Sequence, residues 1–318
     1  MLAELRDARA LRAILGRGAR VSARRELQRR RNRRSVAVEL ADGSCVMLKY
    51  YWRAELVAQE SVRLQAANAL GAIDTPRLRG ATRHHLVQDF ISGEGLDVFA
   101  KRTPREARLA LFLRAAHVLA AIHGSPRPAA GSLRLSEAFA PERLAAHARR
   151  AWREIETRGF ERWQAQQGSV PERWRRAFGE PEIAALVRDL ASTGDACVVG
   201  HGDFHPRHLV LTPDDRLFVV DWISMSLVTP WVELAHLLRW LSPAHRVAVT
   251  AEYLEAMQRK GLLREVSPAR AASLAASALV YDRLIVAKHR VRKLAERDPA
   301  PHVETFRASL DALAEARD

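Results

Sequence analysis

Two apolar runs, residues 35–40 and 45–51, are separated by only four residues, Ala41-Asp42-Gly43-Ser44. An Asp-Gly pair in that position is a strong hairpin signal, because both residues tolerate the left-handed backbone of a tight antiparallel turn. The chain therefore opens on antiparallel β-structure, and its neighbours extend it. An amphipathic helix runs to about Leu15, and residues 20–27 read as a further strand. From 54 to 70 the apolar Leu56, Val57, Leu64, Ala67 and Leu70 recur at helical spacing, with Gly71 placed to end the helix and Pro76 beyond it. A short apolar run at 86–91 leads into Ser92-Gly93-Glu94-Gly95, a turn-rich break that marks a lobe boundary.

Beyond that break the chain reads as helical over 105–123, 141–158, 182–192, 231–241, 244–260 and 268–297, rich in Ala, Leu, Arg and Glu. One β island interrupts it, formed by 197–199, 209–211 and 217–220 with Pro213-Asp214-Asp215 as the turn. The layout is α+β, with a small strand-rich lobe over 1–91 and a large helical lobe over 92–318. A chain of 318 residues has ample core for this.

Lys and Arg total 51 against 37 Asp and Glu, a net charge of +14 that favours anionic partners such as phosphates, nucleic acid or a membrane surface. No nucleic-acid motif or interleaved aromatic surface accompanies it, so no nucleic-acid partner is expected. Cys45 and Cys197 sit in apolar, β-branched stretches and read as two buried thiols of a reducing compartment. The opening residues mix charge with Leu and Ala, unlike a secretory signal, and no window approaches the ~18 apolar residues of a membrane span. A cytoplasmic protein is expected, with peripheral contact to a membrane face left open.

Polar residues crowd around the island. His201-Gly202-Asp203-Phe204-His205-Pro206-Arg207-His208 precedes one strand, and Asp221 ends the next. Two carboxylates emerging from neighbouring strand ends suit a catalytic group beside a metal-holding one. His201 and His205 read as structural, holding the loop through backbone carbonyls.

The run His201-Gly202-Asp203-x4-His208, then Val219-Val220-Asp221-Trp222, then Thr229-Pro230-Trp231-Val232-Glu233-Leu234-Ala235 resembles the catalytic region of the aminoglycoside phosphotransferase and choline kinase family. The resemblance implies a two-lobed protein-kinase-like fold. It implies Asp203 as the group that receives or orients the acceptor hydroxyl's proton, and Asp221 as the main Mg²⁺ ligand. His208 stands where that family has a metal-binding Asn. Lys49, closing the second hairpin strand, matches the lysine that meets the nucleotide phosphates, with Glu60 as its ion-pair partner and Glu55 the competing candidate. Val87-Gln88-Asp89-Phe90-Ile91 resembles the hinge, so Gln88 and Phe90 are expected beside the nucleotide base. The end of a helix at Leu119-Ala120-Ala121-Ile122-His123 resembles the segment before the acceptor region.

The implied activity is Mg²⁺-dependent transfer of a phosphoryl group from ATP or GTP to a hydroxyl of a non-protein acceptor: an aminoglycoside-like molecule, a sugar or an amino alcohol. His208 also occurs at this position in lipopolysaccharide core kinases, so a glycolipid acceptor at the membrane face is the second reading. The long insertion between His123 and His201 resembles the aminoglycoside and choline kinases instead. A catalytically silent kinase-like module and a metal hydrolase built on the His/Asp cluster are the remaining readings.

Gln28-Arg29-Arg30-Arg31-Asn32-Arg33-Arg34, which covers the phosphates under this resemblance, contains no glycine. Either guanidinium groups replace the backbone amides of a glycine-rich turn, or the run is a solvated charged loop. Trp152, Trp163 and Trp174 recur among arginines; an acceptor-lining role competes with core packing, which their helical context favours.

Overall fold

The protein is described by a computed structural model covering residues 2–30, 32–127, 141–191, 197–294 and 300–315. The elements in chain order are α1 (Leu2–Leu15), β1 (Val21–Arg30), β2 (Arg33–Leu40), β3 (Cys45–Tyr51), α2 (Ala54–Ala69), β4 (Leu78–Ala81), β5 (His85–Asp89), β6 (Glu94–Gly95), α3 (Leu96–Arg102) and α4 (Arg105–His123). They continue as α5 (Pro141–Glu154), a π-helical turn, α6 (Phe160–Gln167), α7 (Glu172–Arg176), α8 (Glu180–Ala191), β7 (Val198–Gly200), β8 (Leu209–Leu211), β9 (Leu217–Val219) and β10 (Ser226–Val228). The last four helices are α9 (Pro230–Leu238), α10 (Pro243–Arg259), α11 (Pro268–Lys293) and α12 (Ala300–Glu315). Arg31, Ser192 and residues 295–297, included above in a charged run and two helix ends, lie outside the described residues.

The described residues divide into two units, the first taking in Met1–Arg108 and His201–Met225 and the second chiefly Leu109–Gly124, Ser136–Gly200 and Ser226–Asp318. In the first, five antiparallel strands run in the order β1-β2-β3-β5-β4. The Asp-Gly turn forms as expected, with Gly43 at φ 82° and the Ser44 amide bonded to Asp42. Strand alternation then sorts the side chains. Val36, Val38, Val46, Leu48 and Val87 form one core face together with Leu11 of α1. Arg33, Ser35, Met47, Lys49 and Gln88 stand on the opposite face and line a cavity.

A bulge between Glu26 and Gln28 inserts Leu27 as an extra residue, so that Gln28 rather than Leu27 pairs with Ser35. Without it, the parity of the strand beyond would reverse. On the other face, Asp7 of α1 is buried and paired with Arg34 at 2.5 Å. Residues 29–34 are therefore not simply a solvated loop. Positions 29 and 30 pair in register with 34 and 33, and Arg33 and Arg34 each meet a carboxylate.

The expected single β island is two separate sheets. β8 pairs with β9 on one side and with the two-residue β6 on the other, whereas β7 pairs with β10. A three-residue strand at Ser226–Val228 carries too little pattern to be read from sequence. The smaller unit-one sheet meets the chain after α2 through a bridge between Asp74 and Phe218.

In the second unit, α11 packs on α5, α9 and α12. His123 at the end of α4 is buried, its Nδ1 2.6 Å from the Tyr253 hydroxyl and its Nε2 3.0 Å from Glu233 Oε2. Trp152, Trp163 and Trp174 are core residues: Trp163 stacks edge-on against Trp174 at 4.7 Å, and Trp174 donates from Nε1 to Asp311. The cysteines depart from expectation, Cys45 being exposed and Cys197 half-buried. Cys45 begins β3 on the face opposite the α1 core, across from exposed Glu39. No described helix is long and apolar enough to cross a membrane.

Candidate active site

Within the first unit, the face of β1–β3 opposite α1, the strand at Gln88 and the ends of β8 and β9 enclose a cavity of about 410 Å³. Lys49 lies in its wall and is nearly fully buried. Its Nζ donates to Glu60 Oε1 at 2.5 Å and to Asp221 Oδ1 at 3.3 Å. Helical spacing puts Glu60 on the inward face of α2 with Val57, Leu64 and Ala67, while Glu55 is exposed. Tyr51, two residues beyond Lys49 on the same strand face, donates its hydroxyl to the other oxygen of Glu60. Burial works against the charge on Lys49, but the neighbouring carboxylates of Glu60 and Asp221 outweigh it and raise the ammonium pKa.

Asp221 follows β9 in the left-handed region, at φ 67° and ψ 56°, a conformation that non-glycine residues adopt at a cost. The turn behind it is fastened by three contacts. Trp222 Nε1 donates to the Val219 carbonyl at 3.0 Å, His201 Nε2 to the Val220 carbonyl at 2.9 Å, and Arg63 to the Ile223 carbonyl. The Asp221 carboxylate receives Arg33 on both oxygens, at 2.8 and 3.1 Å. Burial would raise its pKa, yet the charges of Lys49 and Arg33 hold it far below the usual carboxylate range.

Asp203 sits in the loop before β8. Gly202 there has φ 80°, and a Cβ at this position would lie 1.9 Å from the Ser224 carbonyl oxygen, so only glycine fits. Asp203 Oδ1 lies 2.9 Å from His205 Nε2, and Oδ2 accepts from Arg207 at 3.2 Å. Burial pushes this carboxyl up, but the His205 hydrogen bond and the surrounding positive groups override it and lower the pKa strongly. His201 behaves as expected, bonding a backbone carbonyl, whereas His205 bonds the Asp203 side chain.

His208 Nδ1 donates to the Asp203 carbonyl at 2.8 Å, leaving Nε2 as the acceptor nitrogen, 3.3 Å from Arg207 Nε and 3.7 Å from Asp221 Oδ2. Burial, aided by His201, lowers its pKa to about 4 against the pull of Asp203 and Asp221, so the ring is neutral at pH 7 with Nε2 accepting from Arg207. Among the described residues, no group of three or more His, Cys, Asp or Glu side chains is arranged to hold a metal. Gln88 is buried in the cavity wall with Phe90 beside it. Thus Lys49, Glu60, Asp221, His208 and Asp203 come together in one unit. Sequence reading gave Tyr51 no role and left Gln28 and Arg33 undistinguished within the 28–34 run. The two-residue step from Lys49 to Tyr51 was available as a signal; the bulge that turns Gln28 inward was not.

The chain matches the sequence model of the phosphotransferase enzyme family over residues 34–271, three quarters of its length. It belongs to that family. This makes it a phosphotransferase, and the solved structures similar to it share the kinase-like fold. A macrolide 2′-phosphotransferase from Brachybacterium faecium is 18% identical, with a TM-score of 0.64, covering 96% of this phosphotransferase and 98% of that chain. A choline kinase from Streptococcus pneumoniae is 17% identical with a TM-score of 0.63, covering 99% of both chains. A GDP complex of an aminoglycoside 2′-phosphotransferase is 12% identical with a TM-score of 0.66, covering 98% of both. No curated protein sequence matches.

Proposed function

We propose that this phosphotransferase moves the γ-phosphoryl group of Mg²⁺-bound ATP or GTP to a hydroxyl of a small non-protein acceptor, of the aminoglycoside, sugar or amino-alcohol kind. The observation that carries the reading is the placement of Lys49 Nζ between Glu60 and Asp221 in the wall of one cavity. A buried, permanently charged ammonium fixed at that point is suited to polyphosphate oxygens. Gln88 and Phe90, in the wall of the same cavity, are the residues that would meet the nucleobase edge.

Asp221 and His208 fit a divalent cation: a carboxylate and a neutral imidazole whose acceptor nitrogen lies 3.7 Å from it. Such a cation supplies charge neutralisation at the phosphates. Asp203 orients the acceptor hydroxyl toward the γ-phosphorus. The acceptor oxygen forms the new P–O bond as the bond to the β-phosphate oxygen breaks, the electron pair leaving with the nucleoside diphosphate. The hydroxyl proton passes to Asp203. With its pKa held low, Asp203 is a weak base, so it takes that proton late, when bond formation has acidified the hydroxyl.

Thermal unfolding with ATP, GTP and non-hydrolysable analogues, each with and without Mg²⁺, tests the reading. A ligand at 100 times its Kd adds about 2.7 kcal/mol, so a Mg²⁺-dependent rise in Tm is expected. No shift with any nucleotide overturns it.

A further inference from the structure

Arg33 closes both oxygens of Asp221 in a two-pronged contact, Nη1 to Oδ1 at 2.8 Å and Nη2 to Oδ2 at 3.1 Å. Its Nη2 also donates to Gln28 Oε1 at 3.0 Å. The side chain is only 11% exposed and lines the same cavity as Lys49. Residues 28–34 contain no glycine, and β1 and β2 stay paired out to the Arg30–Arg33 rung. A carboxylate that is to hold a divalent cation cannot keep a guanidinium on both oxygens at once, since like charges would then share one seat. The planar guanidinium fork also matches phosphate oxygens as well as it matches a carboxylate.

We propose that Arg33 is the phosphate clamp of this site: it rests on Asp221, and on entry of a metal-bound nucleoside triphosphate it passes to the phosphate oxygens. The carboxylate thereby becomes available to the cation as the guanidinium leaves it. Gln28 guides the transfer by holding Nη2 on the cavity side. The strand bulge that turns Gln28 inward is part of the device. This inference rests on the nucleotide reading of the cavity given above.

The test is a pair of binding measurements on the full chain, wild type against Arg33→Ala and Arg33→Lys. In calorimetry without metal, Arg33→Ala should bind ATP about ten- to a hundredfold more weakly, the range for losing charge-assisted hydrogen bonds, with adenosine affinity unchanged. Arg33→Lys should fall between, having charge without the fork. Added alone and followed by electron paramagnetic resonance, Mn²⁺ should bind Arg33→Ala more tightly than wild type, because Asp221 has lost its competitor. Opposite changes for triphosphate and metal are what a merely structural arginine would not produce. ATP bound equally by wild type and Arg33→Ala, or Mn²⁺ affinity unchanged, overturns the clamp. Wild-type protein that binds neither ATP nor GTP overturns the nucleotide reading itself, a distinguishable failure. Should Arg33→Ala not fold, Arg33→Gln takes its place in both measurements.

Discussion

The hydroxyl of Tyr51 and the carboxylate of Glu60 are hydrogen-bonded inside the first unit, on the oxygen that Lys49 leaves unused. One buried carboxylate thus satisfies two side chains that strand alternation places on the same face. Glu60 is 1% exposed, so its removal takes the acceptor from the Tyr51 hydroxyl and leaves Lys49 with the longer Asp221 contact alone.

Glu60→Ala should therefore destabilise the protein by about 2–4 kcal/mol, the cost of weakening a buried ion pair and leaving a buried hydroxyl unmet, with Asp221 still facing Lys49. The double variant Lys49→Met, Glu60→Met should lose less than Glu60→Ala, since an apolar pair needs no partner. Urea unfolding of the variants checks this; a double variant as unstable as the sum of its single changes contradicts it.

Asp203→Asn should abolish phosphoryl transfer while leaving nucleotide affinity within a few-fold, because Asp203 faces His205 and Arg207 rather than Lys49. Asp221→Asn should weaken Mg²⁺-nucleotide binding as well. Single-turnover assays beside calorimetry separate the two. Retained turnover in either variant removes the role assigned to it.

At His208 an imidazole nitrogen faces Asp221 where an oxygen donor would suit Mg²⁺ better. Activity should accordingly favour Mn²⁺ over Mg²⁺ relative to His208→Asn, in which an amide oxygen restores the harder ligand. If the ratio of Mn²⁺- to Mg²⁺-supported kcat is the same in both, His208 serves only to brace the loop.

His147 predicts a pH effect on stability in the second unit. Lys288 can only donate to its Nε2, at 3.3 Å, so the neutral ring carries its proton on Nδ1 toward the Tyr281 hydroxyl at 2.8 Å. Burial and nearby cations lower its pKa from 6.5 to about 4. The unfolded chain thus binds the extra proton first, and stability falls as pH drops from about 6.5 to 4. Allowing for the ring's partial exposure, this one group contributes on the order of 1–2 kcal/mol. Denaturant titrations at pH 7 and 4.5 should show a smaller drop for His147→Gln than for wild type; equal drops would assign the loss to other groups.

Long, strongly periodic features were legible in the sequence: the Asp-Gly hairpin, α2 with its Gly71 stop, α4, and the order of Lys49, Glu60, Asp203 and Asp221 along the chain. Short strands were not. β6 is two residues long and β10 three, and each exists because it pairs with a distant segment. Arg33 illustrates the other limit. Five basic residues crowd positions 29–34 around Asn32, and sequence alone ranks them equally. Register decides among them, sending Arg33 to Asp221 and its neighbour Arg34 to Asp7.

That pair of arginines ties the two faces of the sheet together across one peptide bond. Asp7 belongs to the opening helix, remote from the cavity, yet it neutralises Arg34 and so helps fix the strand position from which Arg33 reaches Asp221. Shortening the chain at its front would leave Arg34 as a half-buried cation without its acid. The disturbance would arrive one residue away, in the cavity wall. For anyone preparing this phosphotransferase, Asp7 on the opening helix acts on the pocket at one remove, through Arg34.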